Sequence, residues 1–410
     1  MDKNNNEYSS IELFAGAGGT ATGLHKAGFT PALLNEIDKD ASATLKLNYP
    51  DWNVNNSDIY DLDCSKFLGK VDLIQGGVPC QAFSVSGLAQ GFKDVKGRGI
   101  LFWQFARIID ETHPKVIMME NVKGLLFNDK GRAITVMINK LNSLGYNVAV
   151  QVLKAQYYGV GQQRERLILI GVDRKYGGNI PILYPKPSNH ITTLKEALKD
   201  CPKSEGSSYS EKKKKMFKHI PAGGNWRNLP DELLKQYVTE KTYNRLIKHH
   251  NSTGMLKRLA WDKPSFTIMC CPQERLTERC HPDFIRPLTV RESARVQSFD
   301  DDYNFVGSIS SQYRQIGNAV PVKLAYHIGC ALEQMLKIIY SEEARTDKNT
   351  TSLLVDYDDR KYSEIPPVNI PEDICEAVLD DDKFENIKNT KNYKNYMKQL
   401  MKQSKQMFTK

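Results

Sequence analysis

The sequence predicts an α/β protein with a doubly wound, mostly parallel sheet and a smaller domain inserted late in the chain. Three observations predict it. Short apolar runs alternate with amphipathic stretches from residue 9 to about 172, the pattern of repeated strand–helix–strand units. A Gly-rich turn separates the first apolar run from the first helical stretch. The rhythm stops around residues 181–187 and returns only at residue 289, so late sequence completes a domain begun early.

Residues 10–14 read as the first strand and 22–27 as part of the helix after the turn. Residues 31–35, 71–75, 116–119 and 167–171 read as further strands, each a short apolar run. Residues 101–111 and 133–144 carry apolar side chains at helical spacing and read as crossover helices. Helical spacing resumes at 289–298 and 322–340. The expected division is a main domain over 1–185, an insert over 186–285, a return segment over 286–340 and a charged C-terminal extension over 341–410.

The first eight residues are polar and no cleavage pattern follows, so no signal peptide is expected. No apolar run reaches the roughly 18 residues of a membrane helix, which favours a cytoplasmic protein without membrane partners. Eight scattered cysteines suit free thiols in a reducing compartment, where a reactive cysteine is permitted. The net charge of +9 is concentrated: residues 186–285 hold nineteen basic and eleven acidic side chains, so this segment is the candidate for contact with a polyanion. In the extension, residues 342–382 are strongly acidic and 383–410 strongly basic. Such a segment is partly disordered or folds back through its own charges, and residues 386–407 suit a basic helix.

The turn Phe14-Ala15-Gly16-Ala17-Gly18-Gly19 departs from dinucleotide G-x-G-x-x-G spacing, so pyrophosphate is not its favoured ligand. A purely structural bend would use the same glycines. Glu36, at the end of the second strand, is placed to accept from both hydroxyls of a ribose, and Asp58 is placed to accept from an adenine amino group. The pair describes an adenosine pocket. Gly76-Gly77-Val78-Pro79-Cys80-Gln81 follows an apolar run, which puts Cys80 on a loop at the carboxyl end of a strand, where active sites of open α/β sheets collect. Gly87, Gly91, Gly97 and Gly99 make the next stretch pliable.

Pro79-Cys80-Gln81-Ala82-Phe83-Ser84-Val85-Ser86-Gly87 resembles the nucleophile loop of the DNA (cytosine-5)-methyltransferase family, in its bacterial restriction-modification form. Five further motifs follow the family's order: the turn at 14–19, Glu120-Asn121-Val122, Gln162-Gln163-Arg164-Glu165-Arg166, residues 286–295, and Gly317-Asn318-Ala319-Val320-Pro321. One departure is Gly161, where many members carry proline, which implies a less rigid loop.

The resemblance implies a fold of the S-adenosylmethionine-dependent methyltransferase type with an inserted target-recognition domain. It implies methyl transfer from S-adenosyl-L-methionine to carbon 5 of a flipped-out cytosine in double-stranded DNA. Cys80 would be the nucleophile, Glu120 would act at ring nitrogen 3, Arg166 would hold the cytosine carbonyl, and Arg164 would brace the nucleophile loop or a phosphate. The donor would be held by Phe14, Ala17, Gly18, Gly19, Glu36, Ile37, Asp58, Ile59, Pro79, Leu101, Asn318 and Val320. Gln81, Ser84 and Ser86 would meet DNA from the mobile loop, and Arg227, Arg245, Arg258, Arg275 and Arg279 from the insert. Cys270, Cys271, Cys280 and His281 lack the spacing of a zinc site, so no metal is expected. The enzyme is expected to be a monomer, with a restriction endonuclease as a genetic rather than physical partner. The basic tail is expected to be a solvated extension, with non-specific DNA affinity as its second reading. The rival functions are an RNA cytosine-5 methyltransferase and a catalytically silent DNA-binding protein.

Overall fold

The computed structural model describes residues 8–79, 101–176, 180–249, 254–273, 278–348 and 357–405. In chain order its strands begin with β1 (Tyr8–Leu13), β2 (Phe29–Asn35), β3 (Val54–Asn55), β4 (Leu73–Gly76), β5 (Val116–Val122) and β6 (Tyr146–Lys154). A two-residue strand β7 (Gln162–Gln163) and the long β8 (Glu165–Asp173) follow. All but β7 form one seven-stranded sheet in the order β3-β2-β1-β4-β5-β8-β6. The first five strands pair in parallel, whereas β8 is antiparallel to both β5 and β6. Strand β6 was not foreseen, although its sequence, Tyr-Asn-Val-Ala-Val-Gln-Val-Leu-Lys, is rich in β-branched residues.

Helices cover both faces. On one face α1 (Gly19–Lys26) and α11 (Val322–Lys348) pack through Leu24, Leu324, Ala325, Ile328 and Leu332 onto Leu73, Met118 and Ile168. On the other, α3 (Leu101–Thr112) and α4 (Arg132–Ser143) bring Phe102, Phe105, Ile134 and Ile138 against Ile11, Ile74 and Val150. A second edge helix, α2 (Lys39–Asn48), starts at Asp38, whose side chain caps it by accepting from the Ala41 amide at 3.0 Å. Among the described residues no helix is long and apolar enough to cross a membrane.

The insert has a core of its own. Its helices α5 (Leu194–Ala197), α6 (Glu211–Phe217), α7 (Asp231–Tyr237) and α8 (Glu240–His249) are short. Phe217, Trp226, Leu234, Leu246, Met255 and Cys280 form a buried cluster within residues 209–280. The flanks of the insert belong elsewhere: Leu194, Leu198, Leu259 and Ile268 pack with α9 (Val290–Val296) and α10 (Ile309–Asn318). Two small ladders tie the flanks down, β10 (Ser265–Phe266) on β7 and β11 (Tyr362–Glu364) on β9 (Leu183–Pro185).

The C-terminal segment departs most from expectation. Residues 357–405 are not a solvated extension but part of the main core, as α12 (Glu372–Ala377), α13 (Asp381–Ile387) and α14 (Lys391–Gln403). Val368, Ile374, Val378, Phe384, Tyr396 and Leu400 are buried against α4 and the sheet. The Arg132 guanidinium, buried in α4, donates to Val378 O at 2.9 Å and Asp381 Oδ1 at 2.7 Å, and lies 4.6 Å from the Phe384 ring centre. Gly131 takes φ +91°, a conformation that favours glycine, and Met397 packs directly against it, 2.0 Å from where a Cβ would stand. The segment also covers the sheet edge, since Val152 N donates to Ser404 O at 2.9 Å and Val368 N to Val148 O at 2.7 Å. Its charges mislead because they sit on the outer faces of helices whose inner faces are apolar.

Removing residues 341–410 therefore strips apolar cover from α4 and β6, and the truncated chain is expected in the insoluble fraction. The single change Leu400→Ala is expected to lower stability by about 2–5 kcal/mol in urea unfolding. A soluble truncation with an unchanged midpoint would contradict this packing.

Candidate active site

The carboxyl ends of β1, β2, β4 and β5 open into one cavity of about 780 Å³, closed on its far side by the last turn of α10. The first turn shapes one end of it. Phe14, Gly16 and Gly18 all take positive φ, at 57°, 55° and 77°, so the backbone curls between strand and helix. Phe14, Ala17 and Gly19 line the cavity. Gly18 does not. It stands before α1, where an added Cβ would be 2.5 Å from Leu45 Cδ2 and 2.8 Å from the Tyr303 hydroxyl, so it packs closely against α2 and Tyr303.

Glu36 directly follows β2 and is buried beside the turn. Its Oε2 accepts from Gly16 N and its Oε1 from Asp38 N, both at 2.7 Å, which fixes the carboxylate while leaving a lone pair on each oxygen. Burial pushes its carboxyl pKa up from the ordinary value, against the lowering effect of those two amides. Ile37, 63% exposed, offers an apolar face to the same cavity, and Ile59 and Leu101 add others. Asp58 Oδ1 accepts from Tyr60 N at 3.1 Å, so this carboxylate too is held in place.

Strand register builds the other end. Val122 pairs with Arg166 and Glu120 with Ile168, which sends Glu120 and Arg166 to the same face of the sheet on diagonal positions. Arg166 Nε meets Glu120 Oε1 at 2.6 Å, and Arg166 Nη1 donates to Glu165 O at 2.8 Å. The alternate residue, Asn121, points the other way and donates from Nδ2 to Val78 O at 2.9 Å. Sequence reading gave Asn121 no task, yet it anchors the strand end from which Pro79, also in the cavity wall, departs. Cys80, Gln81, Ser84, Ser86 and Arg275 lie outside the described residues.

Arg164 is fully buried and donates to Ile268 O and Asn318 O, both at 3.4 Å. Burial and the neighbouring Arg166 charge push its pKa down to about 9, against the opposing pull of Glu120. Its observed partners are carbonyls of the opposite wall, and it lines the cavity between them. That wall includes Asn318, Val320 and Cys270, whose Sγ lies 2.8 Å from Asn318 Oδ1. Cys270, Arg314 and Gln315 were not among the expected lining residues; only contact between distant segments reveals them. Cys280 and His281 do not join Cys270: Cys280 is in the insert's core, with its thiol 3.4 Å from Phe284 O.

Gln162 couples the arginine motif to the return segment, donating to Gln297 Oε1 at 2.6 Å and accepting from Ile268 N at 3.0 Å. Gln297 in turn donates to Ile316 O at 2.6 Å. Gly161, expected to loosen this loop, is instead wedged in: a Cβ there would stand 2.5 Å from Ala197 Cβ. Of the arginines in the insert, Arg227 and Arg245 are exposed, with Arg227 5.4 Å over the Trp226 ring centre. Arg258 is committed to Pro282 O and Ile220 O at 2.9 Å each, and Arg279 is packed over Phe266, so both serve structure.

Solved structures sharing this architecture include Spodoptera frugiperda DNMT2, at a TM-score of 0.52 and 19% identity over 82% of this chain and all of that one. A prophage-encoded DNA modification protein from E. coli reaches 0.58 at 24% identity, over 81% and 100%. The sheet, with its antiparallel β8, and the cavity at its carboxyl edge are those of an α/β methyltransferase. The C-5 cytosine-specific DNA methylase family matches residues 8–334, and the chain belongs to it. The type II methyltransferase M.PspPI of Psychrobacter is 48% identical over 80% of both chains. Its counterpart M.Eco47II of Escherichia coli is 46% identical over 81% of this chain and 80% of its own. The enzyme is a DNA (cytosine-5)-methyltransferase.

Gly161→Ala is expected to cost about 1–3 kcal/mol through the clash with Ala197. Urea titration should show part of the loss recovered in the Gly161→Ala/Ala197→Gly pair. No loss in the single variant would mean the loop has room to spare.

Proposed function

We propose that this methyltransferase transfers a methyl group from S-adenosyl-L-methionine to carbon 5 of an extruded cytosine through a covalent adduct on Cys80, as the modification half of a type II restriction-modification system. The observation that carries the reading is the Glu120–Arg166 contact at 2.6 Å, in the wall of the cavity that also holds Glu36.

The cavity fits the donor. Two unused lone pairs on the Glu36 carboxylate suit vicinal ribose hydroxyls, Ile37 and Ile59 suit a purine face, and Asp58 suits its amino group. When bound, S-adenosylmethionine supplies the electrophilic methyl group.

The chain's own residues prepare the cytosine to accept it. The Cys80 thiolate adds to carbon 6, and the ring electrons move toward nitrogen 3 and the exocyclic oxygen. Glu120 holds a proton at nitrogen 3. With Arg166 Nε on Glu120 and Nη1 on Glu165 O, Nη2 keeps both its hydrogens for the cytosine oxygen. Carbon 5 would then take the methyl group as the donor's methyl–sulfur bond breaks with its electrons left on sulfur, lose its proton to a base or water, and expel the thiolate as the ring double bond re-forms. The cytosine must leave the stack to reach this depth, at a cost of a few kcal/mol. Exposed Arg227 and Arg245 would contact the duplex from the insert. The biological result would be protection of host DNA from a partner endonuclease.

Bisulfite sequencing of DNA from an expressing host identifies the modified cytosine. A duplex with 5-fluorocytosine at that position is expected to give, with the methyl donor, a complex that survives denaturation and is absent for Cys80→Ser. A complex formed equally by Cys80→Ser would sink the adduct. Binding of S-adenosylhomocysteine, followed by calorimetry, is expected to weaken as pH falls from 8 to 5. The ribose contacts need an ionised Glu36, whose raised pKa places its protonation above the usual carboxylate range. Glu36→Gln is expected to bind roughly tenfold or more weakly at pH 8 and to lose that pH slope. A flat wild-type profile would remove Glu36 from this role.

A further inference from the structure

Residues 357–405 lie beyond the stretch the family covers, and their last helix has two unlike faces. Tyr393, Tyr396, Met397 and Leu400 are buried in the main core. At about 100° per residue, Lys391, Lys394, Lys398 and Lys402 fall within an arc of roughly 80° on the opposite side. All four are exposed, and Lys405 is exposed just past the helix end. None of the four meets a carboxylate in an ion pair among the described residues. The ion pairs nearby join Arg132 to Asp381, Arg360 to Asp358 and Lys388 to Glu385.

The helix is pinned at the end of the sheet where the chemistry lies. Beside its start, Lys130 Nζ donates to Asn389 Oδ1 at 3.2 Å and the Tyr393 hydroxyl to Lys130 O at 3.3 Å, in the loop that follows β5 and Glu120. Past its end, Ser404 O accepts from Val152, one residue from Leu153, which pairs with Arg166. The four ammonium groups extend over about 17 Å of helix, the axial span of roughly five phosphates on one strand. Lysine is a flexible point charge, which suits phosphate contact without base reading.

We propose that this lysine stripe is a sequence-independent contact to duplex DNA beside the catalytic cleft. The inference rests on the DNA substrate proposed above, so methylation of duplex DNA by the wild-type protein is measured first. Its absence would overturn the substrate. The full chain with all four lysines changed to Gln is then compared with wild type by fluorescence anisotropy on a duplex of about 30 base pairs, across a potassium chloride series. Each lost phosphate contact is expected to flatten the slope of log affinity against log salt by about 0.9, for a total of roughly 2 to 3.5. KM on the long duplex should rise while kcat, S-adenosylhomocysteine affinity and melting temperature stay unchanged, and the four-fold Lys→Arg variant should keep the wild-type slope. Equal slopes for the Gln variant and active wild-type enzyme would overturn the stripe while leaving the substrate intact.

Discussion

Antiparallel pairing of β8 with β5 is the constraint on which the Glu120–Arg166 end of the cavity depends. Parallel strands deliver loops to one edge, but they bring no second strand end to meet Glu120 from the opposite direction. β8 does so. It enters the sheet at the active edge, so that Arg166 arrives level with Val122 and turns to the face that Glu120 already occupies. A slip of one residue would send the guanidinium to the opposite face. The register is held from outside the pair as well, since β6 matches β8 along nine residues and the C-terminal segment in turn covers β6.

Around that pair, rigidity comes from hydrogen bonds between segments far apart in sequence. Gln162 and Gln297 are buried and satisfy a backbone group of Ile268, one of Ile316 and each other, tying the arginine motif to the residues just after β10 and to α10. Arg164 joins the same two walls through Ile268 and Asn318. Buried polar groups satisfied in this way fix one arrangement, because any displacement leaves a donor or acceptor unpaired in a dry interior.

Much of the main domain was legible in the sequence because its strands and helices are locally consistent: a short apolar run at β1 or β5 and helical spacing at α3 or α4 each report their own burial. The acids in the cavity wall were legible for the same reason, as Glu36 directly follows a recognisable strand. What escaped was decided by tertiary contact. Asn121 shares a motif with Glu120, but its task is set by Val78 on another strand. Gly18 sits inside a recognised turn, yet Leu45 and Tyr303 decide which way it faces. Arg258 and Arg279 have the composition of DNA contacts and the surroundings of structural residues, a difference that charge counting cannot detect.

The cover over β6 has a consequence for how the chain reaches its native state. The edge of the sheet and the outer face of α4 are completed by residues 368–404, more than two hundred positions after the strand they protect. During synthesis β6 is made long before its partner, and for that interval it presents unpaired backbone and apolar surface, the combination that invites association between nascent chains. The main domain's edge is thus completed only once residues 368–404 have been made, and α14 guards that edge against association as much as it stabilises the folded chain.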